Sequence, residues 1–155
     1  MGAGLNGPGR ERVDMTFSEA QQAYVEKARV GRLATADARG RPNVVPFCFA
    51  LAENALVSAL NEKPKGREVR DLRRVRDIEE NPYVAAVVDE YSPDWSELAW
   101  VQVRGRAELV EPGGDRHAAG VAALRAKYDQ YADHAIGERP LVRILPDHVR
   151  SWGLE

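Results

Sequence analysis

The sequence predicts a mainly β (α+β) fold, a small antiparallel barrel of six strands with three peripheral helices. Three observations carry this expectation. Six short segments are apolar, or alternate apolar with polar residues, and turn residues separate them. Three further segments place apolar residues at helical spacing and run into recognisable stops. No internal repeat or interdomain linker divides the 155 residues, a length suited to one domain. Closing the sheet on itself removes exposed strand edges, which favours a barrel over an open sheet.

Each element has a local reason. Residues 1–15, with four glycines and one proline, are expected to form a mobile extension, and residues 16–155 a single domain. Thr16 and Glu19 have capping-box spacing at the head of a first helix, with Ala20, Ala23, Tyr24 and Lys27 following and Gly31 beyond its end. Arg32 to Ala36 reads as a strand, and Asp37 to Gly40 as a turn. Pro42 to Leu51 reads as one long strand, paired through a Glu53-Asn54 turn with Ala55 to Leu60 to complete a three-stranded meander. A second helix runs through Leu72, Val75 and Ile78 and stops at Asn81-Pro82, because the residue before proline is pushed out of the α region. Tyr83 to Asp89 and Leu98 to Val110 are strands flanking an acidic aromatic loop. His117 to Tyr128 forms an alanine-rich helix, and Leu141 to Leu145 the last strand.

Composition removes whole classes of function. Apolar residues make up 44% and charged residues 30%, as in an ordinary folded domain. A formal charge of −2 argues against a globally basic nucleic-acid binder. The longest apolar stretch, Val44 to Leu51, is far below the roughly 18 residues of a membrane span. With no apolar signal segment and a single cysteine, the expected location is the cytoplasm. His117, His134 and His148 lack metal-ligand spacing, and no Gly-x-Ser-x-Gly, Gly-x-Gly-x-x-Gly or P-loop motif occurs.

The strongest local signal is a charge run. Between Glu62 and Arg76 lie Lys63, Lys65, Arg67, Arg70, Arg73, Arg74 and Arg76 against three carboxylates, a local +4. Arg73 with Asp77 and Arg76 with Glu80 are i,i+4 pairs, so part of the run reads as a solvated helix face. Lys63 and Lys65 in the preceding loop have no such explanation, and an anion beside them would relieve their repulsion. Pro46 removes a ladder donor from its strand, which marks an edge, a bulge or a ligand contact. Cys48 reads as a small core residue.

The order of motifs resembles the pyridoxamine 5′-phosphate oxidase-like split β-barrel family. Val30-Gly-Arg-Leu-Ala-Thr35, Gly40-Arg-Pro-Asn-Val-Val-Pro46, the basic stretch and Asn81-Pro82 carry the resemblance over about residues 17 to 153. Asn61 to Lys65, Asp94 to Ser96 and Arg150 to Gly153 resemble the actinobacterial branch that uses coenzyme F420, a deazaflavin. The resemblance implies a homodimer with cofactor sites at the subunit interface. It places the ring near Val45, Pro46, Phe47 and Ser58, and the phosphate on Arg73 and Arg74. The stretch between strand and helix is longer than in the FMN-using oxidases, so Lys63 and Lys65 compete for that phosphate.

By the same resemblance Trp152 falls to the cofactor and Trp95 to the substrate side, a core role being the alternative for either tryptophan. No residue is assigned acid–base work, since hydride chemistry belongs to the cofactor. The implied function is F420-dependent hydride transfer to a small organic substrate. The alternatives are an FMN-dependent oxidase or reductase, and a non-catalytic carrier or sensor. Partners from nucleic acid or membrane are not expected.

Overall fold

A computed structural model of the chain describes residues 17–60 and 71–154. Helix α1 (Glu19–Lys27) is followed by strands β1 (Gly31–Ala36), β2 (Pro42–Phe47), β3 (Ala50–Ala52) and β4 (Ala55–Ala59). Helix α2 (Arg73–Glu80) leads into β5 (Tyr83–Glu90) and β6 (Ala99–Val110), and helix α3 (Asp115–Lys127) precedes β7 (Leu141–Trp152). The strands form one antiparallel sheet in the order β2-β1-β5-β6-β7-β4-β3. No helix among the described residues is long and apolar enough to cross a membrane.

The sheet has seven strands, not six, because the run from Pro42 to Leu51 breaks. β2 ends at Phe47, β3 starts at Ala50, and the two occupy opposite edges of the sheet. The expected three-stranded meander is therefore two hairpins, β1–β2 and β3–β4, joined by a two-residue crossing at Cys48-Phe49. Apolarity continues through the crossing because Phe49 is buried in the core, which hides the break from a reading of hydrophobicity alone.

Two other boundaries shift. The last strand continues past Leu145 to Trp152. Pro146, which lacks a ladder donor, sits opposite Gly105 where the β6–β7 register shifts. Helix α1 is capped by Ser18, whose side chain accepts from Gln21 N–H (3.1 Å), while Gln21 Oε1 accepts from Ser18 N–H (3.0 Å). Thr16, the expected cap, lies outside the described residues.

The turns match their residues. Glu53 and Asn54 both adopt positive φ (52° and 64°), the geometry of a two-residue hairpin loop. Between β1 and β2 the Asp37 carboxylate accepts from Arg39 N–H (2.9 Å), Arg41 N–H (3.0 Å) and Arg41 Nε (2.7 Å). These bonds, the Arg41 backbone N–H foremost, hold that carboxyl below its ordinary range.

Alternation along β4 separates two cores. Leu56, together with Leu60 just past the strand, joins Leu33, Phe47, Phe49, Val101 and Val103 in the barrel interior, where Leu72, just before α2, and Val75 and Ile78 of α2 are added. Val57 and Ala59 face the other way, onto Val121 and Leu124 of α3. β4 is consequently buried along its whole length. Burying a Leu or Val contributes about 1.5–3 kcal/mol, so α3 is held by its apolar stripe.

Candidate functional site

Where β2 ends beside β4, the surface opens into a cleft of about 170 Å³. Val30, Pro46, Phe47 and Cys48 line it together with Ser58, Ala59, Arg74 and Tyr131. Among these described residues Arg74 carries the charge, and none is Asp or Glu. Electrostatically this is a place for an anionic or neutral ligand.

Pro46, Phe47, Ser58 and Arg74 come together in the cleft. Pro46 stands on an edge strand, where its missing N–H leaves no gap in an internal ladder. Val45 belongs to the same strand but packs against the barrel core. The Ser58 hydroxyl donates to the Cys48 carbonyl (2.8 Å), tying β4 to the crossing.

The two arginines on successive positions of α2 diverge. Arg73 Nε donates to Asp77 Oδ1 (3.0 Å), so the i,i+4 pair read from the sequence forms. Asp77 is 2% exposed, and its other oxygen accepts from the Thr35 hydroxyl (2.7 Å). Asp77, held by Arg73, thereby fastens α2 to β1. Arg74, half-buried, lines the cleft. Glu80 accepts from Ala38 N–H (3.0 Å), attaching the far end of α2 to the β1–β2 turn.

Lys63 and Lys65 lie outside the described residues. Trp95 opens a one-turn 3₁₀ helix (Trp95–Glu97) capped by Asp94 and is 72% exposed. Trp152 pairs with Trp100 at the end of β7 remote from Leu141, whose partner is Ala59 of the cleft. Trp152 is not among the residues that line the cleft of its own chain. Its neighbours in the terminal motif have structural work. Ser151 Oγ accepts from Gln21 Nε2 (3.0 Å), and Gly153 turns at φ +74° under the Leu98 carbonyl.

Three residues escaped the sequence reading. Cys48 is exposed in the cleft and not a core residue. Tyr131 reaches the cleft from a 3₁₀ turn (Asp129–Asp133) just after α3. Tyr128 sits beneath the crossing, its ring 5.5 Å from that of Tyr131. Nothing local in the sequence connects these tyrosines to Ser58 or Pro46, some 70 or more positions earlier.

Beside Tyr128, Lys127 Nζ lies 4.0 Å from the centre of the Phe49 ring and donates to the Val25 carbonyl (3.3 Å). Burial, aided by the nearby Arg29 cation, pushes this ammonium down to about 8. Burial pushes the Tyr128 phenol up to about 12.

A family model described as pyridoxamine 5′-phosphate oxidase matches residues 17–153. A 5a,11a-dehydrotetracycline/5a,11a-dehydrooxytetracycline reductase of Streptomyces rimosus is 28% identical over 142 residues, covering 91% of this chain and 86% of that protein. Among solved structures, a conserved hypothetical protein of Mycobacterium tuberculosis superposes with a TM-score of 0.72 at 21% identity, covering 94% of this chain and 90% of the other. A heme-binding protein of Mycobacterium smegmatis gives 0.67 at 22% identity (90% and 56% covered). An FAD-binding protein of Mesorhizobium loti gives 0.60 at 26% identity (87% and 94% covered).

Proposed function

This chain belongs to the pyridoxamine 5′-phosphate oxidase family, and from that premise we propose that it is a homodimeric oxidoreductase using a deazaflavin of the coenzyme F420 type to transfer hydride to or from a small organic substrate. The observation that carries the reading is the convergence of Pro46, Phe47, Ser58 and Arg74, chosen from separate parts of the sequence, on one cleft.

The cleft fits such a cofactor in its chemistry. A guanidinium suits phosphate oxygens, and the described lining holds no carboxylate to oppose them. Val30, Phe47 and Tyr131 offer apolar surface for a flat ring. The described cleft, about 170 Å³, lies below the ~300 Å³ at which pockets begin to enclose cofactor-sized molecules. That shortfall supports a second subunit as the remaining wall. Trp152, which does not line its own chain's cleft, is kept as a cofactor contact across such an interface. Trp95 is kept for the substrate side, and Lys63 and Lys65, which follow β4 in the chain, as further phosphate partners.

When bound, a deazaflavin supplies a ring position that accepts and returns hydride. The chain's own residues would bind and orient it: Arg74 would hold the anionic end, the Pro46–Cys48 segment would meet the ring, and the apolar surfaces would exclude water. The reductase of Streptomyces rimosus supports a reductive direction and a flat, polycyclic class of substrate.

Fluorescence titration of the full chain with F420 and with FMN tests the proposal. Tighter binding of F420 is expected, because the run from Lys63 to Arg76 holds more cations than one phosphate needs, and the glutamate tail of the deazaflavin would use the surplus. Tighter FMN binding would move the assignment to the flavin, and binding of neither would overturn it. Reduction of an external acceptor by the loaded protein excludes a passive carrier.

A further inference from the structure

The crossing between β2 and β3 presents a backbone problem that two side-chain hydroxyls solve. Cys48 and Phe49 leave one edge of the sheet and enter the other, so no strand neighbour lies alongside them. Phe49 is 1% exposed, and water cannot satisfy its backbone. The Cys48 carbonyl accepts from Ser58 Oγ (2.8 Å). Phe49 N–H donates to Tyr128 Oη (3.1 Å). The same phenol donates its one proton toward the Arg29 carbonyl (2.9 Å), with the Phe49 carbonyl 3.1 Å away as a second acceptor.

Tyr128 thus joins the segment between α1 and β1, the crossing, and the end of α3. Arg29 Nη1 closes the loop by donating to the Lys127 carbonyl (2.9 Å), and its guanidinium covers the Tyr128 ring at 4.8 Å. Both chain segments that Tyr128 holds contribute to the cleft, Val30 directly after Arg29 and Cys48 directly before Phe49. Tyr128 itself is not among the cleft's lining residues.

We propose that Tyr128 is a positioning residue for the ligand cleft: its hydroxyl sets the spacing between the Val30 and Cys48 walls and so governs ligand affinity without contact to the ligand. The inference rests on the reading of the cleft as the ligand site. Tyr128→Phe keeps the ring, its packing on Tyr131 and its contact with Arg29, and removes the hydroxyl alone. Asp37→Ala serves as the control, since it unties the β1–β2 turn at the opposite ends of those strands.

Two readouts separate the inference from the functional reading. Hydrogen–deuterium exchange of the unliganded full chain, followed over a peptide spanning residues 45–50, needs no ligand. Exchange there should quicken about tenfold in Tyr128→Phe and stay within twofold of the parent in Asp37→Ala, as expected for loss of one hydrogen bond to a buried amide. FMN, the available probe, should bind about tenfold more weakly to Tyr128→Phe and unchanged to Asp37→Ala. If FMN and F420 both fail to bind the parent protein, the functional reading falls, while the exchange result still decides whether the hydroxyl holds the walls. If Tyr128→Phe exchanges at the parent rate over residues 45–50, or if Asp37→Ala loosens that peptide equally, the positioning role is refuted. Quickened exchange with unaltered FMN affinity would likewise refute the control over ligand binding.

Discussion

Adjacent arginines on α2 are expected to fail in opposite ways when replaced. Successive helical positions point about 100° apart, so Arg73 turns toward Asp77 and β1 while Arg74 turns to the cleft. Arg73→Gln leaves the Asp77 carboxylate, whose side chain is 3% exposed, with the Thr35 hydroxyl as its described partner. A hydrogen bond to a charged group contributes about 1.5–3 kcal/mol. The Arg73 side chain is 52% exposed, and solvent screening reduces its share to about 1–2 kcal/mol. For a domain of this size that corresponds to a fall in Tm of roughly 2–6 °C. FMN or F420 affinity should stay within about twofold.

Arg74→Gln should do the reverse. Loss of one charge-assisted hydrogen bond to phosphate weakens binding by about one to two decades. Differential scanning fluorimetry and fluorescence titration on the same preparations give both numbers. A Tm loss in Arg74→Gln equal to that of Arg73→Gln, with ligand affinity intact, would show that the anion does not meet α2 in the cleft.

Stability should depend on pH through Lys127. Its ammonium titrates near 8 in the folded chain against an ordinary 10.5, so between those values the unfolded chain holds a proton that the folded chain lacks, and stability rises with pH. Urea unfolding from pH 8 to 9.5 should show this rise, and Lys127→Met should flatten it. Tyr24 and Tyr128, held up to about 12, act oppositely: from pH 10 to 12 the unfolded chain loses those protons first and stability falls. Gly40 and Gly153 share nearly the same positive φ (78° and 74°), yet a Cβ on Gly40 meets nothing, whereas on Gly153 it lies 2.1 Å from the Leu98 carbonyl oxygen. Gly40→Ala should therefore cost about 1–2 kcal/mol of backbone strain, and Gly153→Ala distinctly more by the same unfolding assay. Light scattering at micromolar concentration should give twice the 17.2 kDa chain mass, and a value near one chain mass would exclude the dimer.

Local chemistry in the sequence was enough to place most elements. The stop at Asn81-Pro82, the Glu53-Asn54 turn and the apolar spacing of α2 and α3 depend on neighbours a few positions away, and each appears where its residues put it. The Arg73–Asp77 pair was legible for the same reason, being one helical turn apart. Pro46, Phe47, Ser58 and Arg74 could be named as a group because they carry the family's pattern, although nothing in their spacing shows that they share a cleft.

The remainder required the three-dimensional neighbours. Hydrophobic alternation reports which way a residue faces within its own strand, and it is silent on which strands lie side by side. The run from Pro42 to Leu51 therefore looked continuous, although its halves pair with β1 and β4 on opposite edges of the sheet. The extension of β7 past Pro146 was hidden because the irregular register on β6 that accommodates the proline lies about forty positions earlier. The same limit concealed Tyr128 and Tyr131. Their hydroxyl and ring meet the crossing only after α3 packs on β4, and that packing is decided by burial of apolar surface between segments far apart in the chain.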